Sequence, residues 1–404
     1  MSIPTILNLE ELLINHIDQN KKIVGTKITR LTAPGDNFGS EILKIDLVLN
    51  DKTGNSENLS VIAKLIPEFE FYQEIFNIQW TFKNERNFYE KIVPCLQQFQ
   101  KEQGVQDVID LFPKYYGSRC NLEDKDTKVD GNAVLILENL KIKGYFTENR
   151  KTGFDLPTSK LLLRDVAKFH AVPLALKLKR PQSFDSYVKP HMAAFQPERP
   201  PMSSPDMNSF LLEVIRDSED YCRFAPQVEK SLSLWGKRPT TFREPYSTLI
   251  HNDLWVNNIM LRKENNETVA CKFVDFQLYT YDSVVIDLFF FLFTSVRRDV
   301  LEENLDFLIE YYHQVFVETL SSCHCDTSPF SQKLFLEEMS ACADRILGLT
   351  LFMSTFIVMG LEGGLDRPDP TKPPNMEGAK ISDENKDKIF FILHECNRRG
   401  WLNF

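Results

Sequence analysis

The chain has 404 residues, 43% hydrophobic and 26% charged, with a formal net charge of −10. That is enough for two lobes of ordinary globular composition, each with its own core. The acidic balance excludes a broad surface for nucleic acid or an anionic membrane, and the eight scattered cysteines read as reduced thiols.

The first residues, MSIPTILNLEELLINHI, lack the basic start and apolar block of a signal peptide. Three runs rich in β-branched residues follow: Thr26–Leu31, Glu41–Leu49 and Leu59–Ile66. Separated by the turn signals APGDNFG and NDKTGNSEN, they predict strands. A helical stretch carrying Phe76, Trp80, Phe82 and Phe88 is expected to run up to Pro94, and a polar segment follows from Gln97 to Asp110. Phe112–Arg119 and Ala133–Leu137 read as a further strand pair split by the charged loop LEDKDTKVDG.

Beyond about Lys141 the character becomes helical. Pro157, Thr158 and Ser159 are expected to cap a helix through LLLRDVAKFHA, in which Leu162, Val166 and Phe169 keep helical spacing. His170 and the aromatic-rich helices read as core. The Pro-rich segments RPPMSSP (199–205) and DRPDPTKPPN (366–375) read as surface loops. The most apolar run, Val284–Val296, is too short for a membrane span and carries Asp287. The expectation is an α+β protein, cytoplasmic and without a membrane span. Its small β-rich lobe covers residues 1–140 and a larger, mostly helical lobe covers 141–404, joined near Glu138–Lys143.

The polar segment IHNDLWVNNIM (Ile250–Met260) has the pattern H-x-D-x-x-x-x-N at His251, Asp253 and Asn258, and Asp275 stands seventeen residues after Asn258 in VDF. NIMLR and ACKFVDF read as a hairpin around KENNET that brings Asn258 and Asp275 together. An amide oxygen beside a carboxylate makes a hard-oxygen site for Mg²⁺, and a second carboxylate, Asp253, can accept a hydroxyl proton.

These are parts of phosphoryl transfer, and the others occur upstream in order. Lys64, in VIAKL, supplies a point charge for the α and β phosphates of ATP. Glu85, 21 residues on, is its expected ion-pair partner, with Glu90 as the alternative. APGDNFGS (33–40), containing Gly35 and Ser40, is placed to fold over the phosphates without satisfying G-x-G-x-x-G. LILENL (135–140), with Glu138 and Leu140, reads as an adenine-binding hinge. Only eleven residues separate Asp275 from Asp287, there is no A-P-E, and Asn252 rather than arginine follows His251. No peptide platform fits there, so a small-molecule hydroxyl acceptor is expected.

Together HNDLWVNNIM, VDFQ, FKNERNFYEKIVP, ILENL and AKFHAV resemble the ecdysteroid kinase-like family of arthropods, within the choline kinase and aminoglycoside phosphotransferase group, from about Gly35 to the C-terminal helices. The resemblance implies a bilobal protein-kinase-like fold. It also implies ATP- and Mg²⁺-dependent phosphorylation of a hydroxyl on an apolar metabolite such as an ecdysteroid or a xenobiotic. On it, Asp253 is the base, Asn258 and Asp275 bind Mg²⁺, Lys64 with Glu85 positions ATP, and Asp287 with His251 braces the catalytic loop. VDFQ departs from protein kinases in having Gln277 where they have glycine. One alternative is a catalytically silent binding module, against which stands the full set of core residues. Another is an iron triad of His251, Asp253 and His313 or His394, which leaves Lys64, Glu85 and Asn258 unexplained. Cys323, His324 and Cys325 form a possible metal fragment without a second ligand pair.

Overall fold

Alternating apolar residues build the first layer. In a computed structural model, which describes residues 4–404 except 15, 19, 32–39, 124–127, 193–204, 238–240 and 360–379, they pair into an antiparallel five-stranded sheet. Its order is β1 (Lys21–Arg30), β2 (Glu41–Asp51), β3 (Ser56–Leu65), β5 (Val134–Glu138) and β4 (Tyr115–Arg119). Leu43, Ile45, Leu47 and Leu49 of β2 face the same side as Val61, Ala63 and Leu65 of β3 and Val134 and Ile136 of β5, and are all buried. A short helix, Leu9–Leu13, closes that side with Leu9 and Leu13. The β2–β3 turn is held by Asp51, whose Oδ1 accepts from the Thr53 amide at 2.8 Å and the Asn55 amide at 2.9 Å, while Gly54 takes φ +88°.

The other side of the sheet belongs to the main core. Leu135 and Leu137 of β5 join a cluster that also holds Phe82, Phe88, Phe169 and Phe276. The helix Ile78–Asn87 therefore binds the sheet to the helical lobe instead of lying on the sheet alone. That helix does not stop at Pro94. A π turn, Phe88–Ile92, leads into a further helix, Val93–Glu102, with Pro94 in its first turn. There the missing N–H of proline costs no ladder bond, so the polar segment from Gln97 begins as helix.

In the second lobe, β6 (Tyr145–Thr147), β8 (Ile259–Glu264) and β9 (Glu267–Phe273) form one small sheet, and β7 (Ser247–Ile250) pairs with β10 (Thr280–Ser283). The β8–β9 hairpin turns on Asn265 and Asn266, both left-handed at φ 51° and 66°, the backbone that a two-residue turn between twisted strands requires. The helix Leu156–Lys179 is capped by Asp155, whose carboxylate accepts from the Thr158 amide at 3.0 Å. The expected Pro-Thr-Ser cap is one turn too late, since Pro157 already sits inside the first turn.

Val284–Ser295 is buried on every face, as expected for a core helix. Gln332–Val358 is long and apolar enough to cross a membrane by composition, but 67% of that window is buried inside the fold, and it packs on Ala225–Leu234 and Val284–Ser295. The loop 366–375, most of 199–205 and the expected phosphate loop with Gly35 lie outside the described residues. The overall layout is the two-lobed one of protein-kinase-like folds: a five-stranded sheet with one crossing helix, followed by a larger helical body.

Candidate active site

Strand β7 ends at Ile250, and the chain then makes a tight polar turn before β8. Asn252 is left-handed there at φ 63°, a conformation asparagine tolerates better than most residues. The turn is held from behind by Asp287, in the first turn of Val284–Ser295 and 1% exposed. Its Oδ2 accepts from the His251 amide at 2.6 Å and its Oδ1 from the Asn252 amide at 2.8 Å. His170 Nε2 lies 3.1 Å from Oδ2, and His170 Nδ1 lies 2.7 Å from the Tyr312 hydroxyl. A buried carboxylate is tolerable when its oxygens are filled in this way.

His251 serves the same turn. Its Nε2–H donates to the Val274 carbonyl at 3.0 Å, and its ring lies 4.4 Å from that of Phe276. Burial lowers its pKa against the opposing charge of Asp287. The imidazole is therefore a neutral strut.

Asp253 and Asn258 are locked together. Asn258 Nδ2 donates to Asp253 Oδ2 at 2.8 Å and to the Asp253 carbonyl at 2.8 Å. With its nitrogen committed, the amide presents its oxygen elsewhere. Burial first, and then the charge of Asp275, raise the Asp253 pKa well above the ordinary range, while hydrogen bonds from Asn258 and Trp255 oppose this. The strand ladder continues one residue past β8, with the Val274 amide donating to the Asn258 carbonyl at 3.0 Å. Asp275 follows directly, itself left-handed at φ 67°. The unusual backbone thus falls on Asp275, so Gln277 needs no glycine-like freedom.

Lys64, on β3, reaches Asp275 Oδ1 at 2.5 Å and Glu85 Oε2 at 2.7 Å. Burial works against its charge, but the two carboxylates outweigh burial and raise its pKa. Glu85, 3% exposed, is the more deeply buried of the two acids. Burial pushes it up to about 7 despite the Lys64 charge, and the Asp275 charge adds to the rise. Glu90 points elsewhere and pairs with Arg86 Nε at 3.0 Å.

Two neighbours on the same helix steady this arrangement. Asn84 Nδ2 donates to the Gln277 carbonyl at 2.9 Å and the Tyr279 carbonyl at 3.3 Å. Phe88 stacks on Phe276 with ring centroids 3.7 Å apart and planes 6° from parallel.

The other expected residues are placed differently. Ser40 is buried just before β2. Glu138 ends β5, and its carboxylate accepts from the Lys114 amide at 3.1 Å and pairs with Lys143. Leu140 is buried at the start of the 3-10 turn Leu140–Lys143. Sequence reasoning missed Asn84, His170 and Tyr312 as parts of this machinery. Asn84 was signalled only by standing beside Glu85, and nothing local marked the other two.

The iron reading fails on geometry. The Nε2 atoms of His251 and His313 are spent on the Val274 and Phe330 carbonyls, and no group of three His, Cys, Asp or Glu placed to hold a metal occurs among the described residues. Mg²⁺ makes a different demand, one or two carboxylates plus substrate oxygens. The free amide oxygen of Asn258 and the carboxylate of Asp275 meet it. Lys64 is matched by two carboxylates, Glu85 and Asp275, and Asp253 adds a third carboxyl group that feels the Asp275 charge; that excess of carboxyl groups favours a divalent cation.

Residues 34–325 match the model of the ecdysteroid kinase-like family. A comparison with curated proteins gives no significant match. Among solved structures, the GDP complex of a point mutant of aminoglycoside 2'-phosphotransferase-IIIa aligns at 12% identity over 86% of this chain and 100% of its own, with a TM-score of 0.33. The GDP and kanamycin complex of APH(2")-IIIa aligns at 13% identity over 83% and 99%, with a TM-score of 0.34. The wild-type GDP complex of aminoglycoside 2'-phosphotransferase-IIIa aligns at 11% identity over 99% and 100%, also at 0.34. The family match spans well over half of the sequence: the chain belongs to the ecdysteroid kinase-like family.

Proposed function

We propose that this small-molecule kinase transfers the γ-phosphoryl group of ATP to a hydroxyl of an apolar metabolite, such as a steroid alcohol or a foreign compound, in the cytoplasm. The observation that carries the reading is one connected set: Lys64 clamped between Glu85 and Asp275, beside Asp253 locked to Asn258.

Phosphoryl transfer asks little covalent work of a protein and much positioning. The fixed cation of Lys64 holds the α and β phosphates, and Glu85 keeps that cation from swinging away. The Asn258 amide oxygen and the Asp275 carboxylate are the groups that would hold Mg²⁺. When bound, the ion neutralises charge on the β and γ phosphates. Asp253 takes the proton of the acceptor hydroxyl as the new O–P bond forms and the bond to ADP breaks, and burial suits it by raising its proton affinity. A small acceptor is favoured because the stretch between Asp275 and Asp287 is used up by the 3-10 turn Phe276–Leu278 and by β10.

The test incubates the protein with ATP, Mg²⁺ and a panel of steroid and plant-derived alcohols, followed by mass spectrometry for addition of one phosphoryl group. Asp253→Asn is expected to lose about 10²–10⁴-fold in rate. A wild-type rate in that variant, or MgATP binding without turnover across the panel, would overturn the reading.

A further inference from the structure

The strand that leads to Asp275 lies at the edge of its sheet. β9 pairs with β8 on one side, and its other edge meets the 110–112 segment, which comes from the first lobe. The Phe273 amide donates to the Leu111 carbonyl at 2.7 Å. Lys272, 7% exposed, turns its ammonium onto the same segment. Its Nζ donates to the Asp110 carbonyl at 2.8 Å, to Asp110 Oδ1 at 2.7 Å and to the Phe112 carbonyl at 3.2 Å. An ammonium has three donors, and all three are used here.

That segment is fixed in turn to the helical run 78–102. Gln100 Oε1 accepts from the Ile109 amide at 2.9 Å, and Gln97 Nε2 donates to the Ile109 carbonyl at 3.0 Å. The same run carries Glu85, the partner of Lys64, and Asn84, which holds the Gln277 and Tyr279 carbonyls. One helical body therefore grips the chain on both sides of Asp275. It acts at 272–273 through the 109–112 segment and at 277–279 through Asn84.

Stability by itself does not call for a lysine at 272. Drying an ammonium is expensive, and the side chain of its carboxylate partner Asp110 is 82% exposed, where ion pairs are worth little. What three fixed acceptors supply is direction. Asp275 needs it, since its backbone is left-handed at φ 67° and such a conformation persists only where the surrounding structure holds it.

We infer that Lys272 is a positioning residue for Asp275: by tying β9 to the 110–112 segment it sets the carboxylate where the divalent cation of a bound nucleotide would be held. Asp275 and Glu85 then belong to one rigid unit, and the cation site is formed before the nucleotide arrives. This inference rests on the phosphotransfer reading and adds to it a residue outside the site.

The probe is a fluorescent N-methylanthraniloyl derivative of ATP, titrated into the full chain with Mg²⁺ and again with EDTA. Wild type is expected to bind more tightly with Mg²⁺. Lys272→Met keeps an apolar stem without the ammonium. It should lose about tenfold in affinity with Mg²⁺ and keep its affinity in EDTA. A lysine that only stabilised the fold would lower both affinities or neither. Asp110→Ala removes one exposed acceptor and should show a smaller loss of the same kind, so it decides the matter if Lys272→Met fails to fold. Equal losses in Mg²⁺ and EDTA, or undiminished Mg²⁺-dependent binding, would overturn the proposal alone. A wild type that binds no more tightly with Mg²⁺ would overturn the phosphotransfer reading, and this inference with it.

Discussion

Asp287 holds the turn that leads into Asp253 by its backbone: its Oδ2 takes the His251 amide at 2.6 Å from a position 36 residues later in the chain. The Asn252 amide on Oδ1 completes the grip. Asp287→Asn presents an N–H to one of those amides, so a bond is lost and two donors face each other. Hydrogen bonds to charged acceptors are worth about 1.5–3 kcal/mol each, so urea unfolding should show a loss of about 2–4 kcal/mol. The catalytic rate should fall with it, because Asp253 follows directly after the two anchored amides.

The link behind that carboxylate is separable from it. With Asp287 as acceptor, His170 donates through Nε2–H and accepts the Tyr312 hydroxyl on Nδ1. Tyr312→Phe removes only the outer bond and should cost about 1 kcal/mol with a few-fold drop in kcat. His170→Phe leaves Asp287 short of a partner in the interior and should cost more than Tyr312→Phe. If both variants matched wild type in denaturant midpoint and kcat, the chain of contacts would be inert.

Much of the site was legible because its residues violate their surroundings. Lys64, Asp253, Asn258 and Asp275 each put a polar group into a run of apolar neighbours, and burial forces such groups to find partners. Their order along the chain did the rest. His170 could be read as buried but not as partnered, because Asp287 and Tyr312 stand 117 and 142 residues away and no local spacing encodes that contact. Helix limits failed for local reasons instead. Asp155 outcompeted Pro157, Thr158 and Ser159 as a cap, and the π turn Phe88–Ile92 carried the helix past Pro94. The choice between Glu85 and Glu90 needed that helix's orientation, which places Glu85 at Lys64 and Glu90 at Arg86.

That orientation gives a paired test. Glu85→Gln leaves Lys64 held by Asp275 alone and should raise the KM for ATP about tenfold, the loss of roughly 1.4 kcal/mol of positioning. Glu90→Gln weakens the i,i+4 pair with Arg86, which does not involve Lys64, and should leave ATP kinetics unchanged. Equal effects from the two substitutions would contradict the geometry.

His313 predicts a pH dependence of stability away from the site. Burial pushes its pKa below 6.5, although its hydrogen bond to the Phe330 carbonyl and the Glu310 charge oppose the shift. The folded protein then binds fewer protons than the unfolded chain at pH values just below 6.5. Stability should therefore be full above that pH and fall as acid is added, by at most about 1.4 kcal/mol per pH unit for this one group. Urea midpoints between pH 7.5 and 5.5 measure it. His313→Asn should flatten that slope, and a slope of opposite sign in the wild type would refute the assignment.

Gly348 marks where two helices of the second lobe come closest. Its amide donates to Ser231 Oγ at 2.7 Å. A Cβ at this position would stand 2.6 Å from the Leu232 nitrogen and 2.9 Å from its Cα. These are backbone atoms, so no side chain can swing aside, and the helices Gln332–Phe352 and Ala225–Leu234 would have to separate. Gly348→Ala improves helix propensity by roughly 1 kcal/mol, yet overpacking against rigid backbone costs about 1–3 kcal/mol or more. The clash should win, so Gly348→Ala is expected to unfold at lower urea concentration than wild type. Ser231→Ala, which keeps the close approach and loses one hydrogen bond, should cost about 1 kcal/mol. A Gly348→Ala protein more stable than wild type would mean the two helices lie farther apart than the Ser231 contact requires.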